Sequence, residues 1–319
     1  MTDLRQNDHR AGRDPRPHRL DPGALARLKG AMADWTRRGM LGATALAGTV
    51  AAACSPLAAL NALGPRDRGA RRVAQDLPYG PEPRQRLDLY APDGSGPWPV
   101  VVFFYGGGWD SGAKDLYGWA AQAIAARGFV VALPDYRLVP DVHFPAFIED
   151  AAAATARAAA LAADVGGDPA RLAVAGHSAG AHLAMMITLD RRYMAAVDQP
   201  GLIRAAAGLA GPYEFLPFNV PAAINAFGRV ADPRLTQPVA FARGDAPPLW
   251  IAHGTADTVV HDEDARLLHA AIETAGGRSE LVLYPDLDHA GIVAALSPLF
   301  RGRAPVLAQM TAFFYDQLG

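Results

Sequence analysis

The chain is expected to fold as a single α/β unit, with a mostly parallel sheet covered by helices on both faces. Three observations predict this. Short runs of β-branched and aromatic residues recur between longer Ala/Leu-rich stretches. Several of these runs are apolar throughout, as in strands buried on both faces. Gly or Pro punctuates their ends. Composition agrees: 319 residues are 50% hydrophobic and 19% charged, with net charge −2, which excludes a disordered polyelectrolyte, a collagen and a polytopic membrane protein.

Taken in order, Arg86–Tyr90 alternates and stops at Pro92, so it reads as an exposed early strand. Val100–Phe104 is a continuous apolar run and the first buried strand. Ala120–Arg127 reads as a helix ending at Gly128, followed by a strand over Phe129–Leu133. An Ala-rich helix runs from Ala146 to about Val165 and is closed by Gly166 and Gly167. Leu172–Ala175, Ala205–Leu209, Leu249–Ala252 and Leu281–Tyr284 are strands. Ala179–Leu189, Asp262–Ala275 and Pro305–Leu318 are helices. The stretch from about Pro212 to Asp245, rich in Phe, Pro and Asn, breaks the rhythm and is expected to form a small cap over the C-terminal edge of the sheet.

Charge divides the chain. Residues 1–72 carry 13 Lys/Arg and 6 Asp/Glu, whereas the remainder carries 17 and 26. An acidic body with scattered basic residues has no nucleic-acid footprint. Residues 1–35 read as a disordered leader. Thr36-Arg37-Arg38-Gly39-Met40-Leu41 precedes an uncharged Ala/Gly-rich run to Leu63 and resembles a twin-arginine export signal. Val50-Ala51-Ala52-Ala53-Cys54 resembles the lipobox of a bacterial lipoprotein, with Ala51 where Leu is more usual; this makes Cys54 a candidate for lipid attachment. A plain cleaved signal, an uncleaved anchor, or initiation at Met32 remain open. A basic linker is expected from Asn61 to about Arg72, and the folded domain over 73–319. Cys54 is the one cysteine, so neither an intramolecular disulfide nor a cysteine-based zinc cluster can form.

Candidate chemistry gathers at strand ends. Gly176-His177-Ser178-Ala179-Gly180 follows a strand and opens a helix, the G-x-S-x-G pattern in its proper context. The sharp turn leaves no room for flanking β-carbons and presents Ser178 beside the free N–H groups of a helix start. A serine hydroxyl needs a base held by a third group. Asp257, 79 residues downstream, and His289, a further 32, each lie just past a strand. Asp286 and Asp288 adjoin the histidine too closely in sequence to face its ring, and Asp262 and Asp264 suit a helix N-terminus. His177 and His253 read as packed or hydrogen-bonded structural residues. His143, His182, His261 and His269 lack ligand-like partners, so no metal site is expected. Tyr105-Gly106-Gly107-Gly108-Trp109 follows the Val100–Phe104 strand, and its glycines allow several N–H groups to turn toward one point.

Together these segments, with Asp135-Tyr136-Arg137-Leu138 and Phe144-Pro145-Ala146, resemble the hormone-sensitive-lipase-like carboxylesterases of the α/β-hydrolase superfamily and the related feruloyl-esterase-like (BD-FAE-like) bacterial group, over residues 84–319. The resemblance implies an α/β-hydrolase fold and a Ser178–His289–Asp257 triad. It also implies an oxyanion hole from the N–H groups of Gly107, Gly108 and Ala179, and no cofactor. The expected substrate is a small carboxylic ester, and Phe215, Phe218, Ile224 and Phe227 in the cap suggest a pocket for short- to medium-chain acyl groups. The family usually has His where this chain has Tyr105. Asp135 and Arg137 read as a buried polar network. Kynurenine-formamidase-like amidases, which carry similar motifs, and a non-catalytic binding module on the same fold are the competing readings.

Overall fold

The computed structural model describes residue 57 and residues 59–319. The expected arginine pair and Cys54 lie outside the described residues. Among the described residues the chain runs β1 (Ala70–Pro78), β2 (Arg86–Pro92), β3 (Trp98–Phe104), α1 (Gly118–Ala125), β4 (Val130–Pro134), α2 (Ala146–Ala162), β5 (Gly167–His177), α3 (Ala179–Leu189) and α4 (Arg191–Ala196). It continues through β6 (Ile203–Leu209), α5 (Pro221–Phe227), β7 (Leu249–Gly254), α6 (Glu263–Thr274), β8 (Ser279–Tyr284), α7 (His289–Ala294) and α8 (Val306–Leu318).

The strands form an eight-stranded sheet in the order β1-β2-β4-β3-β5-β6-β7-β8. β1/β2 and β2/β4 are antiparallel and every later pair is parallel. Parallel strands need crossovers, and the helices supply them; α1 packs with α8, and α2 with α3, as two groups on the sheet. β3 shows why its sequence makes a central strand: Pro99 to Phe104 are all buried, so an unbroken apolar run suits a site with neighbours on both faces. In α2 the buried positions Phe147, Ile148, Ala151, Ala154, Thr155, Ala158 and Ala162 recur every three or four residues. A 3₁₀ turn then ends the element at Gly166, whose φ of +79° is left-handed.

Two expectations fail at the N-terminal side. The segment from Asn61 to Arg72 is not a linker. Residues 59–63 are helical, Leu57 and Leu60 are buried in the core, and β1 already starts at Ala70. β1 carries little apolar pattern (Ala-Arg-Arg-Val-Ala-Gln-Asp-Leu-Pro) and pairs with β2 through two register shifts, so its strand character comes from its partner. β2 is also not exposed, because β1 covers its outer edge and Leu87 to Ala91 are buried.

The alternation in β2 hid this because Asp88, which reads as a solvent-facing residue, is 1% exposed. It meets Lys114 Nζ at 2.9 Å and Arg72 Nη1 at 3.0 Å, and accepts the N–H of Asp76 at 3.0 Å. Lys114 is itself 3% exposed, and Asp76 lies 2.7 Å from its ammonium. A buried carboxylate is tolerable only with such partners, and removing one leaves it undercompensated. Lys114→Ala is therefore expected to lower unfolding free energy by about 3 kcal/mol in urea titrations, with Arg72 limiting the loss.

Candidate active site

β5 delivers Ser178 into a sharp turn. Its backbone sits at φ 55°, ψ −124°, a strained conformation for a residue with a side chain. The surroundings enforce it. Ser178 N–H donates to the Leu209 carbonyl at 2.9 Å, and its carbonyl accepts from Ala181 and His182 in the first turn of α3. A β-carbon on Gly176 would stand 2.2 Å from the Gly180 oxygen. One on Gly180 would stand 2.1 Å from the Phe104 oxygen and 2.4 Å from that of Tyr105. Both glycines are thus required by backbone-to-backbone contact. Ser178 remains half-exposed.

The three expected side chains meet. The Ser178 hydroxyl lies 2.9 Å from His289 Nε2, and His289 Nδ1 lies 2.7 Å from Asp257 Oδ2. Asp257 follows β7 and is buried. Its Oδ1 accepts the N–H groups of Val259 and Val260 at 2.8 and 3.0 Å. Burial pushes its pKa up, but the hydrogen bonds from His253 and His289 outweigh this and hold it well below the usual carboxylate range. A carboxylate fixed in this way keeps the Nδ1 proton on His289 and leaves Nε2 free to accept from the serine. Chemically, such a chain can take a proton from a hydroxyl as it attacks a carbonyl carbon.

The neighbouring acids have other tasks. Asp288 caps α7 by accepting the Gly291 N–H at 2.6 Å, and Asp264 accepts those of Tyr213 and Glu214. Asp262 pairs with Arg266. Arg137 holds Asp150, while Asp135 accepts the Lys114 N–H, so the Asp135/Arg137 region is polar and part-buried as expected.

Two histidines read as structural prove to touch the site itself. His177 Nε2 donates to the His289 carbonyl at 2.9 Å, so its Nδ1 accepts from the Tyr117 hydroxyl at 3.0 Å. His253 Nε2 donates to the Val260 carbonyl at 2.9 Å and lies 3.3 Å from Asp257 Oδ2. The part of Tyr117 had no signal in the sequence, because the contact spans 60 residues.

The glycine loop lies directly over Ser178: a β-carbon on Gly106 would meet Ser178 Cβ at 2.9 Å. Gly107 and Gly108 adopt φ of +144° and +59°. The Gly107 carbonyl accepts from the N–H of Asp110 and from both the N–H and the hydroxyl of Ser111. In a trans peptide the N–H points opposite to the C=O, so the Gly108 N–H is turned away from Ser111. Among the described residues, neither Gly107 nor Gly108 N–H donates to a protein acceptor. Ala179 is the first residue of α3, beside the serine.

Trp109, at φ 62°, is held by edge contacts to Phe227 and His182 and by stacking on Phe215. Its indole N–H donates to His182 Nδ1 at 3.3 Å, and His182 Nε2 donates to the Thr236 carbonyl at 2.8 Å. One imidazole thereby joins the glycine loop, α3 and the segment between β6 and β7. That segment packs differently from the expectation. Phe227 is fully buried against Phe144, Phe147 and Phe218, so it belongs to the segment's own core and not to a pocket lining, while Ile224 is 49% exposed. Phe215 and Phe218 are half-buried and pack against this core.

A crevice of about 670 Å³ lies at the opposite edge of the sheet, around the starts of β6 and β7, remote from Ser178. Among the described residues no three His, Cys, Asp or Glu side chains are grouped to hold a metal ion. Nor is any helix among them long and apolar enough to cross a membrane.

The pattern of the BD-FAE family matches residues 87–272, more than half of the chain. The chain belongs to the BD-FAE family. Over 280 residues it is 29% identical to a probable isoprenylcysteine α-carbonyl methylesterase of Oryza sativa subsp. japonica, covering 77% of this chain and 63% of that one. It is 32% identical over 209 residues to esterase LipC of Mycobacterium tuberculosis, covering 59% and 52%. The chain therefore spans about half to two-thirds of the length of these relatives. The propionate-bound esterase Est2 of Thermogutta terrifontis superposes with a TM-score of 0.62 at 27% identity, over 79% of this chain and 96% of that one. The fold of this BD-FAE member is that of the α/β-hydrolases, as the sequence predicts.

Burial pushes His177 down to about 3 and His182 down to about 4, so both rings stay neutral in the folded protein. In the unfolded chain both take up a proton near pH 6.5. The unfolded state then binds more protons, and stability is lost as pH falls below about 6.5, by about 1.4 kcal/mol per pH unit for each ring. Asp257, with its lowered pKa, acts in the same direction at lower pH. Urea titrations from pH 7 to 5 should show this slope, and His177→Gln should flatten it.

Proposed function

We propose that this protein is a serine hydrolase of carboxylic esters, with Ser178 as nucleophile, His289 as general base and Asp257 as its orienting partner. The observation that carries this reading is the hydrogen-bonded chain from Ser178 Oγ through both nitrogens of His289 to Asp257, set on a strained, half-exposed turn. The esterase names of the relatives support it.

In the proposed reaction Ser178 Oγ attacks the ester carbonyl carbon as its proton passes to His289 Nε2. The carbonyl oxygen becomes an oxyanion, which the N–H groups of Gly107, Gly108 and Ala179 stabilise by about 3–4 kcal/mol each. The carbon–oxygen bond to the alcohol breaks, and His289 returns the proton to the departing alkoxide. Water then attacks the acyl-serine by the same route and releases the acid and free Ser178. The reaction needs no cofactor.

Short acyl groups are the inferred substrates. Phe215 stacks on Trp109 at the glycine loop, Phe218 packs against Phe215, and a similar structure holds propionate.

Ser178→Ala should reduce turnover of p-nitrophenyl butyrate by at least about 10³-fold, with the melting temperature little changed. Undiminished hydrolysis would overturn the assignment. Assaying N-formylkynurenine alongside separates an esterase from an amidase: a strong preference for that substrate would favour the amidase reading.

We also infer that the chain is exported, on the strength of Arg37-Arg38 before the uncharged run, and that Cys54 is acylated. Intact-mass measurement of protein recovered from bacterial membranes should show a chain that starts at Cys54 and carries acyl groups; retention of residues 1–53 would refute acylation at Cys54, and recovery of the protein only from the cytoplasm would refute export.

A further inference from the structure

Tyr105, the residue at which this chain departs from the family's usual His, is fully buried, and its hydroxyl needs partners. Arg84, in the connection between β1 and β2, supplies one. Arg84 Nη2 donates to the Tyr105 hydroxyl at 2.7 Å and to the Gly112 carbonyl at 2.9 Å. Its Nε donates to the Tyr136 carbonyl at 2.8 Å, and Asp135 lies 3.6 Å from the guanidinium. Asp135 in turn accepts the Lys114 N–H at 2.7 Å.

Tyr105 and Gly112 are the two ends of the glycine loop, so one guanidinium holds both. The remaining contacts tighten the same point. The Tyr105 ring stacks on Tyr136 at 4.6 Å and 19°, and the Tyr136 hydroxyl donates to the Tyr105 carbonyl at 3.0 Å. Gly112 fits edge-on, since a β-carbon there would stand 2.8 Å from the Tyr105 ring and 2.7 Å from the Gly106 oxygen. The loop between these ends carries Gly107 and Gly108, whose N–H groups have no protein acceptor among the described residues.

We propose that Arg84, acting through the Tyr105 hydroxyl and the Gly112 carbonyl, is a positioning residue that fixes the donors of the glycine loop against the oxygen of the reacting ester. The inference rests on the hydrolase reading above. Arg84 touches the ends of the loop and none of Ser178, His289 or Asp257, so its effect falls on the donors that act most strongly in the transition state. A displacement of about 1 Å there can cost on the order of 10²-fold in rate.

The test compares wild type, Tyr105→Phe, Arg84→Ala and the double variant on p-nitrophenyl butyrate, with active sites counted from the p-nitrophenol burst. Tyr105→Phe should lower kcat per active site about 5- to 20-fold, and Arg84→Ala about 30- to 100-fold, with KM within about twofold. The double variant should match Arg84→Ala within about twofold, because both changes cut one path. An alkylboronic acid, which forms a tetrahedral adduct on serine, should bind more weakly in step with kcat.

A residue that merely supports folding would lower the melting temperature or the active fraction, leaving kcat per site and boronate affinity at wild-type values; that result overturns the proposal. If Arg84→Ala does not fold, the near-isosteric Tyr105→Phe decides. Wild-type activity with unchanged variants sinks the positioning role alone, whereas inactivity of the wild type on esters sinks the hydrolase reading with it.

Discussion

At one place in this molecule three stretches of backbone pass within van der Waals contact of one another, and the α-carbon of Gly180 stands at the crossing. The carbonyl oxygens of Phe104 and Tyr105 lie 2.1 and 2.4 Å from where its β-carbon would be, and the Gly180 oxygen lies 2.2 Å from where a β-carbon on Gly176 would be. Protein interiors are packed too densely to absorb such overlaps. The end of β3, the end of β5 and the start of α3 are therefore locked together. From that lock follow the left-handed backbone of Ser178, the placing of Gly106 over it and the fixed origin of the glycine loop.

Around this crossing, polar groups are satisfied by imidazoles whose donors and acceptors are fixed by their partners. His177 ties the His289 backbone to Tyr117, and His182 ties Trp109 to Thr236. His253 braces the loop that carries Asp257. Each ring joins segments from different parts of the chain, so the site is held by side-chain hydrogen bonds between loops that the sheet alone would leave independent. The aromatic cluster of Trp109, Phe215, Phe218 and Phe227 adds a dry counterpart on the other side of the glycine loop.

Much of this was legible in the residues. β3 through β8 announced themselves as apolar runs between helical stretches, and Gly-His-Ser-Ala-Gly marked its turn because only glycine tolerates the contacts at 176 and 180. Ser178, Asp257 and His289 could be named because each lies just past a strand, where parallel sheets collect side chains at one edge. β1 escaped notice, since its sequence lacks apolar periodicity and pairing with β2 makes it a strand. Asp88 misled because its partner Lys114 lies in a later loop. The same limit hid Arg84 and Tyr117, whose roles depend on contacts across 21 to 60 residues. The cap aromatics misled for another reason: Phe227 fills its own core.

Leu57 and Leu60 are buried in the core of the domain. Cys54 precedes Leu57 by three residues, which span at most about 10 Å of extended chain. A fatty acyl chain attached at that cysteine would have almost no slack before meeting packed protein. The domain would then ride close against a bilayer surface, restricted in the directions it can face, and substrates dissolved in or released from the lipid would reach it over a short path.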